Sequence, residues 1–542
     1  MIKRRHFLLV LVSFLFTACG ERAERREDAS VLPDTGGTLV IAIPNEPDAV
    51  NSLLSGERYG QEINRNVLYL PLVTYNERAE ITPALAESWE MHDDTAVTFR
   101  LRRDVYWHDG VRTSAHDVVF TFERGRDPRT GYPNGDYWVG WQGAQALDSF
   151  TVRFRMERQP EPLGNFPWIP IMPVHLLGSI PAAELKNAPF NQRPVGNGPF
   201  RFVEHRPNDR WVFEANRQFP AALGGRPLVD RLVLRVIPEP TAQQTELRTG
   251  NVHLITLVGV KDFAALDQMP NLRGIVMPGR QYSFIAWNTK RPLFDDVRFR
   301  RALSFAIDRQ EIVNVLRGSY GQVAAGPVPP FHWSNDTTIR PLPYHPDSAR
   351  AILSALGMRD HNGDRFLEQA NGQPLRVELK FAAGSEAQRD VAELVRADLE
   401  AVGIRLLPRP LEFNTLLGQV TTPERNFDGV LMGYENDYKL VLHDMFHSRA
   451  LANPYQFASY RNASVDSLLD RLNTTTSREE ALPLWRRLQT IIRDEQPWTF
   501  LFHYSDLLAA QEQLKGPQGD ARGILVDVRS WWLDRPDTVT TN

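Results

Sequence analysis

Two histidines four residues apart are the side chains best suited, by type and spacing, to bind a metal ion. His443 and His447 stand at positions i and i+4, so they would share one helix face, and imidazole nitrogens are good zinc ligands. The metalloprotease motif needs a glutamate where this chain has Asp444, and no third ligand is evident in the sequence. We therefore predict surface or packing roles for both histidines and no metal site. A metal-dependent hydrolase remains the alternative from another class of protein.

An acidic loop offers a second set of candidate ligands. Asp360, Asn362, Asp364 and Glu368 partly match a calcium loop, but Gly363 comes at the fourth position instead of the sixth. This spacing favours an ordinary turn. The chain also has no phosphate-binding GxxxxGK[ST], no GxSxG nucleophile elbow and no GxGxxG that opens a helix. None of these motifs therefore marks a cofactor site or an enzyme, and the prediction that the protein has no cofactor and is not an enzyme follows from the family resemblance given below.

Cys19 is the only cysteine, and it follows a segment typical of an export signal. Basic residues at 3–5 precede an apolar run at 7–18, which is shorter than the roughly 20 residues that cross a bilayer. The residues Phe-Thr-Ala-Cys that end this run resemble the bacterial lipoprotein box. We predict a signal peptide at 1–18 and a lipid-anchored tether at 19–37, with lipid on Cys19. An ordinary signal peptide stays open, as does the choice between the general secretory and twin-arginine export routes.

The composition excludes several classes of protein. The 62 basic and 66 acidic residues give a net charge of −4, and no long block of one sign suggests a nucleic-acid partner. A single cysteine rules out an internal disulfide and zinc sites of the CxxC type. With 542 residues, of which 42% are hydrophobic, we expect two or three domains with large apolar cores. After residue 18 no apolar run is long enough to span a bilayer.

Strands and helices alternate along the chain, which predicts an α/β fold. Ser114, with Asp117 three residues later, predicts the N-cap of a helix that continues through Arg124. The apolar spacing predicts further helices over 294–317, 347–356, 386–402 and 477–492, and strands over 38–43, 98–102, 232–237, 375–381 and 427–432.

Several segments, taken in order, identify a family. They are 99–110 with 114–120, the VGNGPF segment at 195–200, and the segments 288–309, 344–364, 427–448 and 455–497. Together they resemble the bacterial extracellular solute-binding proteins of ABC transporters, family 5, which include oligopeptide, dipeptide and nickel binders. The resemblance implies a two-lobe periplasmic-binding-protein type II fold with an extra inserted domain and discontinuous domains. We place lobe I at 38–76, 190–278 and 496–535, the inserted domain at 77–189, and lobe II at 279–495.

The resemblance also implies the function. The chain would be the substrate-binding component of an ABC importer, a monomer at the cell envelope that captures a solute between its lobes. It would deliver the solute to a membrane permease, which works with an ATPase; both are other chains. A small peptide is the favoured solute. An oligosaccharide or opine binder of the same fold and a sensor for a signalling receptor remain alternatives.

The same resemblance marks one candidate site segment. In peptide-binding relatives the acidic residue of a Gly-Trp-x-x-Asp-Tyr segment pairs with the α-ammonium of the peptide, and Asp437 takes that position here. Glu435 lies beside it, and the rings of Tyr434 and Tyr438 would supply flat walls for the ligand. Some oligopeptide binders also carry an arginine for the peptide carboxylate two residues before the glycine of this segment. This chain has Leu431 there, so the sequence names no base for a carboxylate.

A second candidate segment follows the first predicted strand. Asn45 and Glu46 come directly after that strand, where the implied architecture brings a loop to the cleft. We therefore add both to the predicted ligand-binding residues.

Overall fold

A computed structural model describes residues 35–534 of the protein. The predicted signal peptide, the lipid site at Cys19 and the tether as far as residue 34 lie outside the described residues. Between residues 35 and 534, no helix is both long and apolar enough to cross a membrane.

The described chain mixes strands with helices throughout, as the sequence predicts. The strands are β1 Thr38–Ile43, β2 Val73–Tyr75, β3 Ile81–Pro83, β4 Ala86–His92, β5 Ala96–Leu101, β6 Trp141–Asp148, β7 Thr151–Met156, β8 Phe200–Arg206, β9 Arg210–Ala215, β10 Arg231–Val236, β11 Leu254–Ile255, β12 Leu272–Trp287, β13 Gln322–Val323, β14 Arg376–Ala382, β15 Arg405–Leu411, β16 Gly429–Glu435, β17 Trp498–Gln511, β18 Leu514–Lys515 and β19 Trp532–Leu533. The α-helices are α1 Arg58–Ile63, α2 Ala115–Arg126, α3 Val174–Leu177, α4 Pro240–Thr249, α5 Val260–Asp267, α6 Val297–Ala306, α7 Arg309–Arg317, α8 Pro346–Ala355, α9 Glu386–Ala401, α10 Phe413–Val420, α11 His443–Phe446, α12 Ala463–Leu472 and α13 Arg478–Glu495.

One mixed sheet of 11 strands runs through the described chain in the order β15-β14-β16-β12-β17-β11-β1-β10-β9-β8, with β13 also paired to β17. Strand β1 is parallel to β10 and β11 at one end, and β14 is parallel to β15 and β16 at the other. Separate apolar cores cover these two ends, because helices and loops pack on each set of buried strands.

The long strands β12 and β17 join the two ends of this sheet. They pair antiparallel along most of their length, and their register shifts between Pro278 and Tyr282. Such an irregularity bends a strand and raises its local twist. It coincides with the predicted border between lobe I and lobe II at 278 and 279, although the domain limits themselves remain a prediction.

A second sheet, in the order β4-β5-β7-β6, packs against α2 around an aromatic core. The rings of Phe99, Phe154 and Phe166 meet edge to face at centroid distances of 5.1–5.9 Å. The whole sheet lies within the predicted inserted domain, 77–189. The small hairpin of β2 and β3 crosses the predicted border at 76 and 77.

Helix ends show where the sequence patterns succeed and where one fails. The predicted N-cap at Ser114 is confirmed, because Ser114 and Asp117 form the reciprocal hydrogen bonds of a capping box. The single helix predicted over 294–317 is wrong: the chain leaves the helical conformation at Ile307, and Asp308 caps a second helix by accepting from the Glu311 N–H at 3.0 Å. The apolar periodicity continues across this break, so it conceals the new cap.

Candidate functional site

The segment that carries Asp437 begins at the end of β16, and buried polar groups form hydrogen bonds with the residues on either side of Asp437. The Asn436 side chain donates to the Pro327 carbonyl at 2.8 Å, and the His332 Nε2–H donates to the Tyr438 carbonyl at 2.8 Å. Burial lowers the pKa of His332 to about 3, so this imidazole is neutral at pH 7. The turn around Asp437 is therefore fixed by its neighbours.

The carboxylate of Asp437 is accessible although protein surrounds it. The side chain keeps 43% of its surface exposed, yet burial raises its pKa above the ordinary value for an aspartate. The Arg280 guanidinium opposes that rise, with Nη1 3.4 Å from Oδ1 of Asp437, and the Tyr137 hydroxyl donates to Oδ2 at 3.3 Å. A reachable carboxylate that water solvates poorly is suited to bind a cationic group.

The Arg280 guanidinium lies close to both the Asp437 carboxylate and the ring of Trp168. It also contacts the Glu435 carboxylate at 2.6 Å and lies 5.3 Å from the ring centroid of Trp168. The guanidinium of Arg65 lies over the same indole at 4.2 Å. Trp168 therefore has two cations close to its ring, a stabilising arrangement for an aromatic surface.

The two tyrosines of the segment differ in their surroundings. Tyr438 is only 5% exposed and stacks on Tyr75 with centroids 4.9 Å apart, while Trp168 and Phe331 pack on it at 5.6 and 5.1 Å. Its ring thus belongs to an aromatic cluster between distant parts of the chain. Tyr434 is half-buried and meets Tyr455 edge to face at 5.9 Å.

Glu46 and Asn45 lie apart from this group of contacts. Glu46 accepts from His205 Nε2 at 2.7 Å, from Trp211 Nε1 at 2.9 Å and from the Asn208 N–H at 3.0 Å, all in the β8–β9 hairpin. These contacts give its carboxylate a structural role in tying the β1 loop to the hairpin. Asn45 is exposed.

The paired histidines acquire a neighbour that the sequence did not reveal. His443 and His447 stack with ring centroids 4.3 Å apart, and Asp470 Oδ1 lies 3.2 Å from His447 Nε2. However, His447 Nδ1 accepts from the Arg449 N–H at 2.9 Å, so in the neutral ring the proton is on Nε2. That assignment leaves no lone pair on Nε2 for a metal.

The acidic loop has the turn geometry expected for it. Asp360 accepts from the backbone N–H groups of Gly363 and Arg365 at 2.7 and 3.0 Å. Glu368 accepts from the His361 N–H and the Asn362 side chain, both at 2.8 Å. The carboxylates therefore stabilise their own turn.

Sequence reasoning missed four residues that complete the group around Asp437, namely Arg65, Tyr137, Trp168 and Arg280. Three of them come from parts of the chain far from residue 437, where no local pattern marks them. Arg280 is also distant from residue 437, and nothing marks it within β12, because that strand carries a second arginine at Arg273.

The fold is that of a solute-binding protein, and the chain belongs to the bacterial extracellular solute-binding proteins, family 5, whose middle-region model matches residues 80–446. Members of this family are the extracellular or periplasmic substrate-binding proteins of ABC transporters and are not enzymes. The predicted family and α/β fold class are confirmed.

Individual relatives cover nearly the whole chain. The chain is 28% identical over 537 residues to the oligopeptide-binding protein AppA of Bacillus subtilis, covering 97% of each chain. It is 26% identical to heme-binding protein A of Haemophilus influenzae, covering 94% of this chain and 95% of that one. The solved structure of Bacillus subtilis AppA in complex with a nonapeptide matches with a TM-score of 0.73 and 29% identity, over 93% of this chain and 100% of that one.

Proposed function

We propose that this protein captures a peptide around Asp437 and delivers it to the permease of an ABC importer. The observation that carries the proposal is the Asp437 carboxylate, which is accessible, surrounded by protein and hydrogen-bonded to the Tyr137 hydroxyl. The similarity to the oligopeptide-binding protein AppA, whose structure is solved in complex with a nonapeptide, supports the proposal.

The α-ammonium of a peptide fits the chemistry of Asp437. An ammonium against a carboxylate forms a charge-assisted hydrogen bond, which is stronger than a neutral one. Arg280 supplies the opposite charge to Asp437 and Glu435 in the described structure. A bound ammonium would share these carboxylates with the guanidinium, and the Tyr137 hydroxyl would remain as a further partner.

The alternative of an oligosaccharide receives less support. Sugar binding commonly uses exposed aromatic faces, but most of the 12 tryptophans are buried within the apolar cores. Tyr438 is likewise enclosed by other rings. The aromatic content that suggested sugars is therefore mostly used in packing.

Attachment to a membrane through lipid on Cys19 is part of the same proposal. The sequence pattern at 1–19 supports it, and the lipid would keep the binding domain near its permease. Metabolic labelling with a fatty acid tests it directly. We expect label on the natural protein and none on Cys19→Ala; equal labelling of both would exclude this anchor.

Native mass spectrometry of the purified protein tests the ligand class. We expect a co-purified peptide, or capture of peptides from a synthetic mixture of tri-, tetra- and pentapeptides. Asp437→Asn should weaken capture by at least tenfold, whereas Asp347→Asn, at an aspartate with an 85% exposed side chain, should not change it. A co-purified non-peptide, or no capture of any peptide, would overturn the proposal.

A further inference from the structure

The Arg280 guanidinium lies between two carboxylates, and its two contacts are unequal. Nη2 is 2.6 Å from Oε1 of Glu435, whereas Nη1 is 3.4 Å from Oδ1 of Asp437. We infer that Glu435 is a positioning residue that holds the Arg280 guanidinium, so that Asp437 can accept the ammonium group of the solute. Glu435 would then act on the ligand through Arg280 and not by direct contact. The inference rests on the proposed function and extends it to a determinant of specificity.

The backbone places Arg280 beside the segment that carries both carboxylates. Gln281 of β12 is paired with Glu435, the last residue of β16, and the Asn436 N–H donates to the Arg280 carbonyl at 3.0 Å. The Gln281 side chain also donates to Oε2 of Glu435 at 3.2 Å. Two neighbouring donors on one strand therefore fix the position of the Glu435 carboxylate.

Arg280 is the most enclosed of the three charged side chains. It keeps 19% of its side-chain surface exposed, against 46% for Glu435 and 43% for Asp437. Its guanidinium also lies close to the ring of Trp168. An enclosed cation needs a carboxylate partner, because removing one member of a buried ion pair leaves a charge that solvent compensates poorly. Arg280 therefore has to keep Glu435 when a ligand occupies Asp437.

Asp437 retains the capacity to accept from a further donor. Its Oδ2 accepts from the Tyr137 hydroxyl at 3.3 Å, and its Oδ1 contacts Arg280 at 3.4 Å. Both distances exceed those of ordinary protein hydrogen bonds, which are about 2.5–3.2 Å. A carboxylate has about four lone-pair sites on its two oxygens, so an ammonium group can approach the exposed side of Asp437 with its N–H donors.

The charges around Asp437 favour one additional cation. The carboxylates of Glu435 and Asp437 face the single guanidinium of Arg280. The nearby Arg65 has a counter-ion of its own in Glu62, 3.7 Å away. One negative charge of the cluster is therefore uncompensated, and an α-ammonium would neutralise it.

Loss of the Glu435 carboxylate would turn Arg280 into a competitor of the ligand. Among the residues that the structure describes, the guanidinium would then have Asp437 as its only carboxylate partner. Arginine pairs with a carboxylate through two parallel N–H···O bonds, and such a pair would occupy the oxygens that the ammonium needs. Binding of a free amine would therefore weaken, while contacts made by the rest of the peptide would remain.

Calorimetry with one peptide in two forms tests this role. The peptide captured most strongly from the tri- to pentapeptide mixture is compared with its N-acetylated form, which lacks the ammonium. We expect Glu435→Gln to weaken binding of the free peptide at least fivefold and to leave binding of the acetylated peptide unchanged. Glu393→Gln is the matched control and should change neither affinity, because Glu393 is also exposed and pairs with Arg396 at the same distance of 2.6 Å.

A double-mutant cycle distinguishes positioning from direct contact. Arg280→Gln is made in the natural protein and in Glu435→Gln, and the thermal stability of each variant shows that it is folded. We expect Arg280→Gln to raise the affinity for the free peptide at least fivefold more in the Glu435→Gln background, since the guanidinium competes only when Glu435 does not hold it. A Glu435 that contacted the ligand directly would give the same factor in both backgrounds.

The outcomes separate this inference from the proposed function. An unchanged affinity in Glu435→Gln, an equal loss for the free and acetylated peptides, or the same Arg280→Gln factor in both backgrounds would overturn the positioning role and leave peptide capture intact. Equal affinity of the natural protein for the two forms of the peptide would exclude the ammonium from Asp437 and overturn both. Failure to capture any peptide would also overturn both.

Discussion

Replacing Arg478 by methionine should weaken the form of the protein in which the region predicted as lobe II contacts the region predicted as the inserted domain; we call this the closed form. Arg478 begins α13, in the region predicted as lobe II, and its Nε and Nη2 lie 3.0 and 2.9 Å from Glu161 Oε1. Nη2 also donates to the Ala79 carbonyl at 2.7 Å, so the side chain reaches the region predicted as the inserted domain. Methionine removes these three contacts, together with the guanidinium that lies 4.9 Å from the ring centroid of Trp333.

The magnitude follows from this geometry. A hydrogen bond to a charged group contributes about 1.5–3 kcal/mol when water is excluded. The Arg478 side chain is 35% exposed, so solvent screening reduces the coupling to about 1–2 kcal/mol. Since 1.4 kcal/mol is a factor of ten, the closed form should lose about 5- to 30-fold in population relative to an open one. The apparent dissociation constant of the bound peptide should rise by up to the same factor.

Two assays check this expectation. Calorimetry should show the weaker binding for the peptide captured most strongly from the mixture. Small-angle X-ray scattering of the ligand-free variant should show a larger radius of gyration. Arg487→Met, at an exposed position on the same helix, is the matched control. If Arg478→Met and the control give the same affinity and radius as the natural protein, the contact does not hold the closed form.

Further predictions concern titration, the β1 loop and the histidine pair. Burial lowers the pKa of His332 to about 3 and that of His503 to about 4. As the pH falls, these histidines are therefore protonated in the unfolded chain before they are protonated in the folded one. The free energy of unfolding, measured with urea, should therefore fall as the pH drops from 6.5 towards 4, and less so in His503→Gln; equal values at pH 7.5 and 5 would refute this. Because burial raises the pKa of Asp437, peptide affinity should decline on acidification at a higher pH than for an ordinary aspartate, and titration calorimetry across pH would show it. Glu46→Gln should lower the free energy of unfolding by about 1–3 kcal/mol and leave peptide affinity unchanged; an unchanged stability with weaker binding would restore Glu46 to the ligand site. His443→Ala should leave the metal content of the purified protein unchanged. A loss of bound metal in this variant would contradict the tautomer assigned to His447, which has no lone pair on Nε2 for a metal.

The local elements were predictable where one short stretch of sequence carries the whole cause. The Ser114 cap is such a case, since both of its hydrogen bonds join residues three apart. The predicted strands over 232–237 and 375–381 also match β10 and β14 within a residue at each end. The break at Ile307 escaped prediction because two helices with compatible apolar faces look like one, and only packing selects the cap at Asp308.

The candidate site likewise has one part that the sequence pattern predicts and another that it does not. The segment from Tyr434 to Tyr438 carries a recognisable pattern, so Asp437 could be named. Its partner Tyr137 is 300 residues away in the chain, and no local spacing reports that the two meet. Glu46 remains a predicted ligand residue, but no local pattern reports that its carboxylate accepts three hydrogen bonds from the hairpin at 205–211.

By itself, the sequence determined the family, the α/β class and several of the helices and strands, because hydrophobic periodicity, caps and contiguous motifs act over a few residues. Only the tertiary structure decided which charges and rings surround Asp437 and that Tyr438 is enclosed. Those properties depend on burial and on distances between residues far apart in the chain, and chain closure over such separations is governed by the packing of the whole fold.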